Sequence, residues 1–224
     1  MILAAAVCPC PPLLVPDVAP GTADELASLR TACDAVVRGL LDRRPERVVV
    51  LGSGDPVADL DESAGGTLAG YGAEVRAGGD DAILPLDLTI GAWLLDRAGW
   101  TGPRTYSLRL PDVADDVVVL VVADGTTSRS LKAPGFLDDR AEAYDASIAA
   151  ALAAGDGEAL AGLDPTLGAE LGASGVPALR ALGRLGIDET AGGASVEARL
   201  HVDEAPFGVG YFVADWVMSR TDRG

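Results

Sequence analysis

The 224-residue sequence predicts an α/β fold of three layers, in which helices cover both faces of a central mixed, mostly parallel sheet. Two observations support this prediction. Continuous apolar runs such as Ile2 to Cys8 and Val117 to Ala123 are typical of strands that are buried on both faces. Segments with the helical spacing of apolar residues separate these runs, as strand–helix–strand units require. No internal repeat or long linker interrupts the chain, so we expect a single domain over residues 1–224.

The first part of the chain predicts two strands and one long helix. After the strand over Ile2 to Cys8, closely spaced prolines predict an extended loop. Thr22 and Glu25 have the spacing of a capping box, and the apolar positions that follow them predict an amphipathic helix over Ala23 to Arg44. The apolar run from Arg47 to Leu51 predicts the next buried strand.

The middle of the chain predicts further helices and strands in alternation. We expect a helix over Leu86 to Ala98, a weak strand over Thr105 to Leu110 and a strong strand over Val117 to Ala123. A helical segment follows over Leu137 to Ala154, and two shorter helices are expected within Asp164 to Leu185.

The last part of the chain predicts two strands. Apolar and polar residues alternate strictly between Ser195 and Asp203. This alternation predicts that four apolar side chains share one face of the strand, namely Val196, Ala198, Leu200 and Val202. Phe207 to Val217 predicts a closing strand or strand–helix piece. Only the Gly- and Asp-rich region from Asp59 to Asp81 predicts no element.

The charge and the cysteine content exclude several classes of function. The 17 Lys and Arg residues against 34 Asp and Glu residues give a net charge of −17, which repels nucleic-acid backbones and anionic membrane surfaces. The single histidine, His201, cannot supply a multi-histidine metal site. Three cysteines make no disulfide framework, and no apolar run reaches the ~20 residues of a membrane helix. We therefore expect a cytoplasmic protein with reduced thiols that binds neither nucleic acid nor membrane.

Polar residues and cysteines gather where predicted strands end, which is where α/β sheets bind ligands. Four such segments occur, at residues 8–12, 52–55, 124–129 and 203–206. Several of their residues are candidates to line a cleft, namely Cys8, Pro11, Ser53, Gly54, Asp55, Thr126 and Thr127. Together the segments offer two thiols, several carboxylates and several hydroxyls.

Each of the four most informative candidate residues has a functional interpretation and a purely structural one. Glu204 follows Val202 onto the buried face by alternation, where a carboxylate needs a partner, an ion or a shifted pKa; alternatively the strand ends earlier and Glu204 is solvated. Cys10 is either a metal ligand or reactive thiolate, or a small residue in a proline-locked loop. His201 is either a functional group or a solvated or ion-paired strand residue. Asp124 could equally cap a turn.

Four segments together resemble the class III extradiol ring-cleavage dioxygenases, in the catalytic B-subunit superfamily that also contains the Memo-like proteins. Residues 7–16 read V-C-P-C-P-P-L-L-V-P, similar to the C-P-H-P-P-L-L-V-P of that family. The strand at 48–51 and its following loop correspond to a segment where the family usually places another histidine. Residues 123–145 resemble its G-D-L-S-H-R stretch and the turn and helix after it. Residues 204–211 read E-A-P-F-G-V-G-Y, similar to E-x-P-[FY]-G-V-G-Y.

The resemblance implies an iron(II) site whose ligands are largely replaced. Active family members hold iron(II) with two histidines and a glutamate, leaving positions open for a catechol and O₂. Glu204 matches the glutamate, whereas Cys10 stands in place of the first histidine and Ser53 or Gly54 stands near the second. The resemblance therefore implies a metal site limited to Cys10 and Glu204. Because the histidine ligands of iron(II) are replaced, we expect no cofactor.

The acid–base group of the family is also replaced. Thr127 or Ser128 stands where the family has its acid–base histidine, while the neighbouring Asp124 is kept. The candidate catalytic residues are accordingly Asp124, Ser128 and His201. If the resemblance is real, Cys10, Asp124 and Glu204 should cluster at one end of the sheet.

Three hypotheses of function follow, and the sequence leaves open whether the chain is an enzyme. The first is a degenerate relative of the dioxygenases that lacks ring-cleavage activity and binds a small molecule or a partner in the inherited cleft. The second is an active enzyme with a rebuilt site, in which Cys10 and Glu204 act with zinc or copper or Cys10 acts as a thiolate of lowered pKa. The third is a structural or interaction subunit that forms a homo-oligomer or meets a protein partner.

Overall fold

The computed structural model describes residues 1–54, 58–111 and 115–220. Within these residues the chain forms nine strands and six α-helices. In chain order they are β1 (Ile2–Cys8), α1 (Ala27–Leu41), β2 (Arg47–Leu51), β3 (Ala64–Thr67), β4 (Arg76–Gly78), β5 (Asp81–Ala82), α2 (Leu86–Arg97), β6 (Arg104–Ser107), β7 (Val117–Val122), α3 (Ala141–Ala154), α4 (Gly157–Ala161), α5 (Pro165–Glu170), α6 (Val176–Ala191), β8 (Ala194–Glu204) and β9 (Tyr211–Arg220). Among the described helices, none has the length and apolar character needed to cross a membrane.

The main sheet has the strand order β6-β2-β7-β1-β9-β8. The first four strands are parallel, whereas β9 runs antiparallel to both β1 and β8. This arrangement confirms the predicted α/β fold with a mixed, mostly parallel sheet. It also places the carboxyl ends of β1, β2, β6, β7 and β8 at the same sheet edge as the start of β9.

Helices cover both faces of the main sheet, as predicted. Successive residues of β7 alternate between two apolar clusters: Val118 and Leu120 pack on the side of α1 and α2, whereas Val119 and Val121 pack on the side of α3 and α6. Both faces are fully buried because every residue of β7 is shielded from solvent. This two-sided burial explains why β1, β2 and β7 are continuously apolar.

The capping-box prediction at the start of α1 is wrong. The helix begins at Ala27 with no side-chain cap, and Thr22 instead donates its hydroxyl to the carbonyl of Ala19 within a short 3₁₀ turn that Pro20 begins. The start predicted for α3 is also early, because Asp138 binds the backbone N–H of Arg140 and holds residues 138–140 in a turn.

The region from Asp59 to Asp81, which predicts no element, forms most of a second small sheet in the order β4-β3-β5. Its strands are too short and too rich in glycine to give an alternating pattern. Glycine lets the small sheet approach α2 closely, because a Cβ on Gly66 would lie 1.9 Å from the Thr89 hydroxyl of that helix. The small sheet therefore packs directly on α2.

A β-bulge in β8 changes which face its side chains occupy. The pairing with β9 shifts register between Leu200 and Val202, which leaves His201 as the extra residue. Leu200 therefore packs with the cluster beneath α3, whereas Val202 packs with the opposite cluster beneath α1. The prediction that all four apolar residues share one face is wrong at Val202. Glu204 consequently lies opposite Tyr211 on the α1 and α2 side of the sheet.

Candidate functional site

A cavity of about 530 Å³ opens at the carboxyl edge of the main sheet. This volume lies within the range of small-molecule sites. Its walls are mostly apolar and are formed by Pro11, Pro12, Leu13, Pro85, Leu86, Val122, Pro134, Phe207 and Val209. Its polar side chains are Cys10, Ser53, Asp87, Asp124, Thr127, Ser174 and Tyr211. We refer to this cavity as the cleft.

One side of the cleft is built where the loops after β1 and β7 meet. The backbone N–H of Cys10 donates a 2.8 Å hydrogen bond to Oδ1 of Asp124, and the N–H of Ala123 donates to the carbonyl of Cys8 at 3.0 Å. Pro11 and Pro12 fix the following turn, because their rings restrict the backbone. The two parallel strands thus bring a thiol and a carboxyl together from distant parts of the sequence.

Burial determines the protonation of this pair. It raises the pKa of Asp124 to about 6, although the hydrogen bond from Cys10 opposes the shift. Burial also raises the pKa of the Cys10 thiol well above its usual value, and the nearby Asp124 and Asp87 carboxylates raise it further. Cys10 is therefore a neutral thiol. This direction is opposite to the lowered pKa that the rebuilt-site hypothesis requires.

The second carboxylate of the cleft, Asp87, comes from the start of α2. Its Oδ2 accepts the backbone N–H groups of Ser53 at 2.6 Å and Gly54 at 2.9 Å, and its Oδ1 accepts the N–H of Leu88 at 2.8 Å. Asp87 thereby ties the loop after β2 to the helix. Sequence reasoning missed this residue: an acid in the first turn of a helix, two positions after Pro85, reads as an ordinary helix-dipole partner.

The segment before α6 forms a further side of the cleft. The hydroxyl of Ser53 accepts the backbone N–H of Ala178 at 3.2 Å, which joins the loop after β2 to this helix. Gly175 lies so close to the β7 loop that an added Cβ would be 2.4 Å from the carbonyl oxygen of Asp124. Ser174 and Gly175 were not predicted from the sequence, because no motif links them to the strand ends.

A buried carboxylate behind the cleft holds the β7 loop in place. Asp145 of α3 accepts both the backbone N–H and the hydroxyl of Thr126 at 2.9 Å. The guanidinium of Arg129 lies 3.7 Å from the same carboxylate. Burial raises the pKa of Asp145, and the two Thr126 hydrogen bonds oppose this shift. Asp145 therefore positions the segment that carries Asp124 and Thr127.

The structure brings together about half of the candidate site residues. Six of them line the cleft: Cys10, Pro11, Ser53, Gly54, Asp124 and Thr127. Cys8 does not, because it lies in the core beneath α1, where a hydrogen bond with Cys33 and burial raise its pKa. Thr126 faces Asp145, and Ser128 is buried with its hydroxyl 3.4 Å from the carbonyl of Leu171. Asp55 lies outside the described residues.

His201 and Glu204 lie away from the cleft lining. His201 contacts Asp215 of β9 and borders a separate cavity of about 150 Å³ beneath α1, in agreement with the ion-paired alternative. Glu204 is half-buried at the end of β8, opposite Tyr211. Cys10, Asp124 and Glu204 share one sheet edge, as the resemblance requires, but only the first two are in contact.

The donor groups at these positions do not fit an iron(II) site. The Ser53 hydroxyl is engaged by α6, the Cys10 thiol stays protonated and Glu204 is not part of the lining. Across residues 1–54, 58–111 and 115–220, no three His, Cys, Asp or Glu side chains are grouped so that they could hold a metal ion. The same observations argue against the zinc or copper site considered for Cys10 and Glu204.

No family model matches the chain, and no curated protein is significantly similar to it.

Proposed function

We propose that this protein is a divergent relative of the class III extradiol dioxygenases whose cleft binds a small molecule without iron-dependent ring cleavage. The observation that carries the proposal is the cleft itself. A cavity of about 530 Å³, walled by apolar side chains and holding a few convergent polar groups, lies at the carboxyl edge of a mostly parallel sheet. Ligands of α/β proteins bind at this edge.

The loss of metal chemistry follows from the donor set. Iron(II) in this type of site needs two imidazoles and a carboxylate, and the described residues that line the cleft include no histidine. A thiol-dependent reaction is also disfavoured, since a neutral, buried Cys10 beside two carboxyl groups is a poor nucleophile. Binding is the activity that the remaining groups can support.

A fragment screen by ligand-observed NMR tests the proposal. We expect small apolar fragments with one polar group to bind the wild-type protein. Leu86→Trp should abolish this binding, because Leu86 lines the cleft and the larger ring would fill it. Ile83→Trp is the matched control, since Ile83 is 59% exposed and does not line the cleft. Equal binding by both variants would show that the fragments bind elsewhere and would overturn the proposal.

A metal assay tests the second half of the proposal. The purified protein, prepared without oxygen and offered iron(II), should bind far less than one equivalent and should not cleave catechol. Stoichiometric iron with catechol turnover would mean that the chain is an active dioxygenase with ligands other than those considered above.

A further inference from the structure

Resting on the proposed binding function, we propose that the cleft selects ligands that carry a cationic nitrogen group, a protonated amine or an amidinium, on an apolar body. The charges of the cleft and the direction of its hydrogen bonds both favour this ligand class.

The charged side chains described in the cleft lining are all acidic. Asp87 and Asp124 both line it, and the described lining residues include no Lys, Arg or His. The nearest basic residue of the β7 loop, Arg129, is paired with Asp145 at 3.7 Å and Glu142 at 3.6 Å. An anionic ligand would therefore meet two carboxyl groups and no basic side chain in the described lining, whereas a cation would be stabilised there.

The backbone donors around the cleft are already engaged. The N–H of Cys10 is bound by Asp124, those of Ser53 and Gly54 are bound by Asp87, and that of Ala178 is bound by the Ser53 hydroxyl. Three of these N–H groups belong to the loops after β1 and β2 and one belongs to the first turn of α6, and all four are bound by protein acceptors.

Prolines reduce the supply of donors further. Pro11, Pro12, Pro85 and Pro134 line the cleft and have no backbone N–H. Four of the lining residues thus supply no backbone donor, and the carboxyl groups of Asp87 and Asp124 favour a ligand group that donates several hydrogen bonds. Ammonium and amidinium groups donate and do not accept.

An unpartnered hydroxyl gives an independent indication of a ligand. Tyr211 lines the cleft and is only 2% exposed, yet its hydroxyl makes no hydrogen bond with any described residue. Burial and the nearby Asp124 and Cys10 groups raise its pKa, so the hydroxyl stays protonated and keeps its oxygen lone pairs. Because this hydroxyl opens onto the cleft, a donating ligand group between Tyr211 and Asp124 would bind it there.

An organic cation fits the cleft better than a metal ion does, because the cleft offers both carboxyl groups and apolar walls. The carboxyl groups are not arranged to chelate, since no metal-holding group of three acidic, thiol or imidazole side chains exists in the described part of the chain. Phe207, Val209 and Leu13 form apolar walls beside the polar groups. A bare metal ion would leave these walls unused, whereas an aryl or alkyl amine would bury its body against them.

The binding of such a cation should depend on pH. Asp124 faces Cys10 from the β1 loop, Asp87 from α2 and Tyr211 from β9, and no cation among these neighbours stabilises its charge. Because a cationic ligand favours ionised Asp124, whose pKa is about 6, affinity should rise between pH 5 and pH 7. If only the ionised form binds, the rise should be roughly tenfold.

Three probes with the same ring test the inference by isothermal calorimetry: benzamidine, benzamide and benzoate. We expect benzamidine to bind with a Kd at least roughly tenfold below that of neutral benzamide, and benzoate not to bind. Asp124→Asn should remove this preference and the pH dependence. Asp188→Asn is the matched control, because Asp188 is an exposed acid near the far end of α6.

The outcomes separate this inference from the proposed function. If benzamide or benzoate binds as tightly as benzamidine and Leu86→Trp abolishes that binding, the cleft binds small molecules but the cation preference is wrong. If benzamidine fails while the fragment screen finds uncharged cleft ligands, the preference is likewise overturned. If neither the probes nor any fragment binds, both proposals fall.

Discussion

The backbone N–H of Cys10 and the carboxylate of Asp124 form a 2.8 Å hydrogen bond across 114 positions of the sequence. This bond joins the loops that follow two adjacent parallel strands, β1 and β7. It consumes the backbone donor of the loop that carries Cys10. Burial of this pair raises the pKa of the Cys10 thiol and of the Asp124 carboxyl group, and the hydrogen bond between them opposes both shifts.

The raised pKa of Asp124 predicts that its charge destabilises the folded protein at neutral pH. Its pKa is about 6 when folded, against 3.8 for the ordinary side chain, so the native state keeps a proton that the unfolded state loses. The stability associated with this proton is fully present below pH 3.8 and is lost as the pH rises through 6. Asp124→Asn should therefore raise the free energy of unfolding by about 2 kcal/mol at pH 8 and have little effect near pH 4.

Urea denaturation of both proteins across this pH range measures the effect. Asp188→Asn provides the control, since Asp188 is an exposed acid of α6 outside the cleft. A stabilisation by Asp124→Asn that does not vary with pH would mean that the charge of Asp124 is not its cause.

The three thiols should react slowly in the folded protein. Cys8 and Cys33 are fully shielded, Cys10 is 9% exposed, and the pKa values of Cys8 and Cys10 are raised. Alkylation by iodoacetamide at pH 8, followed by mass spectrometry, should be on the order of 100-fold slower than for an exposed thiol. Ala153→Cys, at an exposed position of α3, supplies that reference within the same chain. Rapid modification of Cys10 would instead revive the thiolate hypothesis.

The buried strands could be predicted from sequence because a strand covered on both faces must be continuously apolar. Ile2–Cys8 and Arg47–Leu51 match the predicted bounds for this reason. The faces of β8 could not be predicted beyond Leu200, since a bulge adds one residue without changing the alternation that the sequence displays. The bulge also explains why His201 and Glu204, three residues apart, share the α1 side of the sheet.

The site was predictable only where strand ends supply its residues. Cys10, Ser53 and Asp124 follow buried strands, and parallel topology brings such positions together. Asp87 lies in the first turn of α2 and Ser174 lies just before α6, and their approach to the cleft depends on how these two helices pack on the sheet. Local sequence patterns contain no information on that packing, so these residues became visible only in the structure.

Asp145 should be a major determinant of the cleft's shape and of stability. Asp145→Ala would leave the buried N–H and hydroxyl of Thr126 without acceptors and Arg129 with Glu142 as its remaining partner, so we expect a loss of about 3 kcal/mol. Asp145→Asn keeps one acceptor oxygen and should cost less than half as much. Chemical denaturation at pH 7 measures both values. Equal losses would indicate that the charge of Asp145, and not its hydrogen bonding, matters most.

Tyr211→Phe should separate a ligand-binding role from a structural one. Deleting a hydroxyl that anchors the fold normally costs stability, because its partner is left unsatisfied. The hydroxyl of Tyr211 has no partner among the described residues, so its removal should change the free energy of unfolding by less than about 0.5 kcal/mol. The affinity for benzamidine should nevertheless fall, since the ligand would lose one hydrogen-bond partner.

Tyr144→Phe is the matched comparison for this experiment. The Tyr144 hydroxyl donates to the carbonyl of Asp164 at 2.8 Å and lies outside the cleft lining. Its deletion should therefore lower stability by about 1 kcal/mol and leave benzamidine affinity unchanged. If Tyr211→Phe destabilised the protein as much as Tyr144→Phe while binding stayed intact, Tyr211 would be a structural residue. The unpartnered hydroxyl would then cease to support an occupant of the cleft.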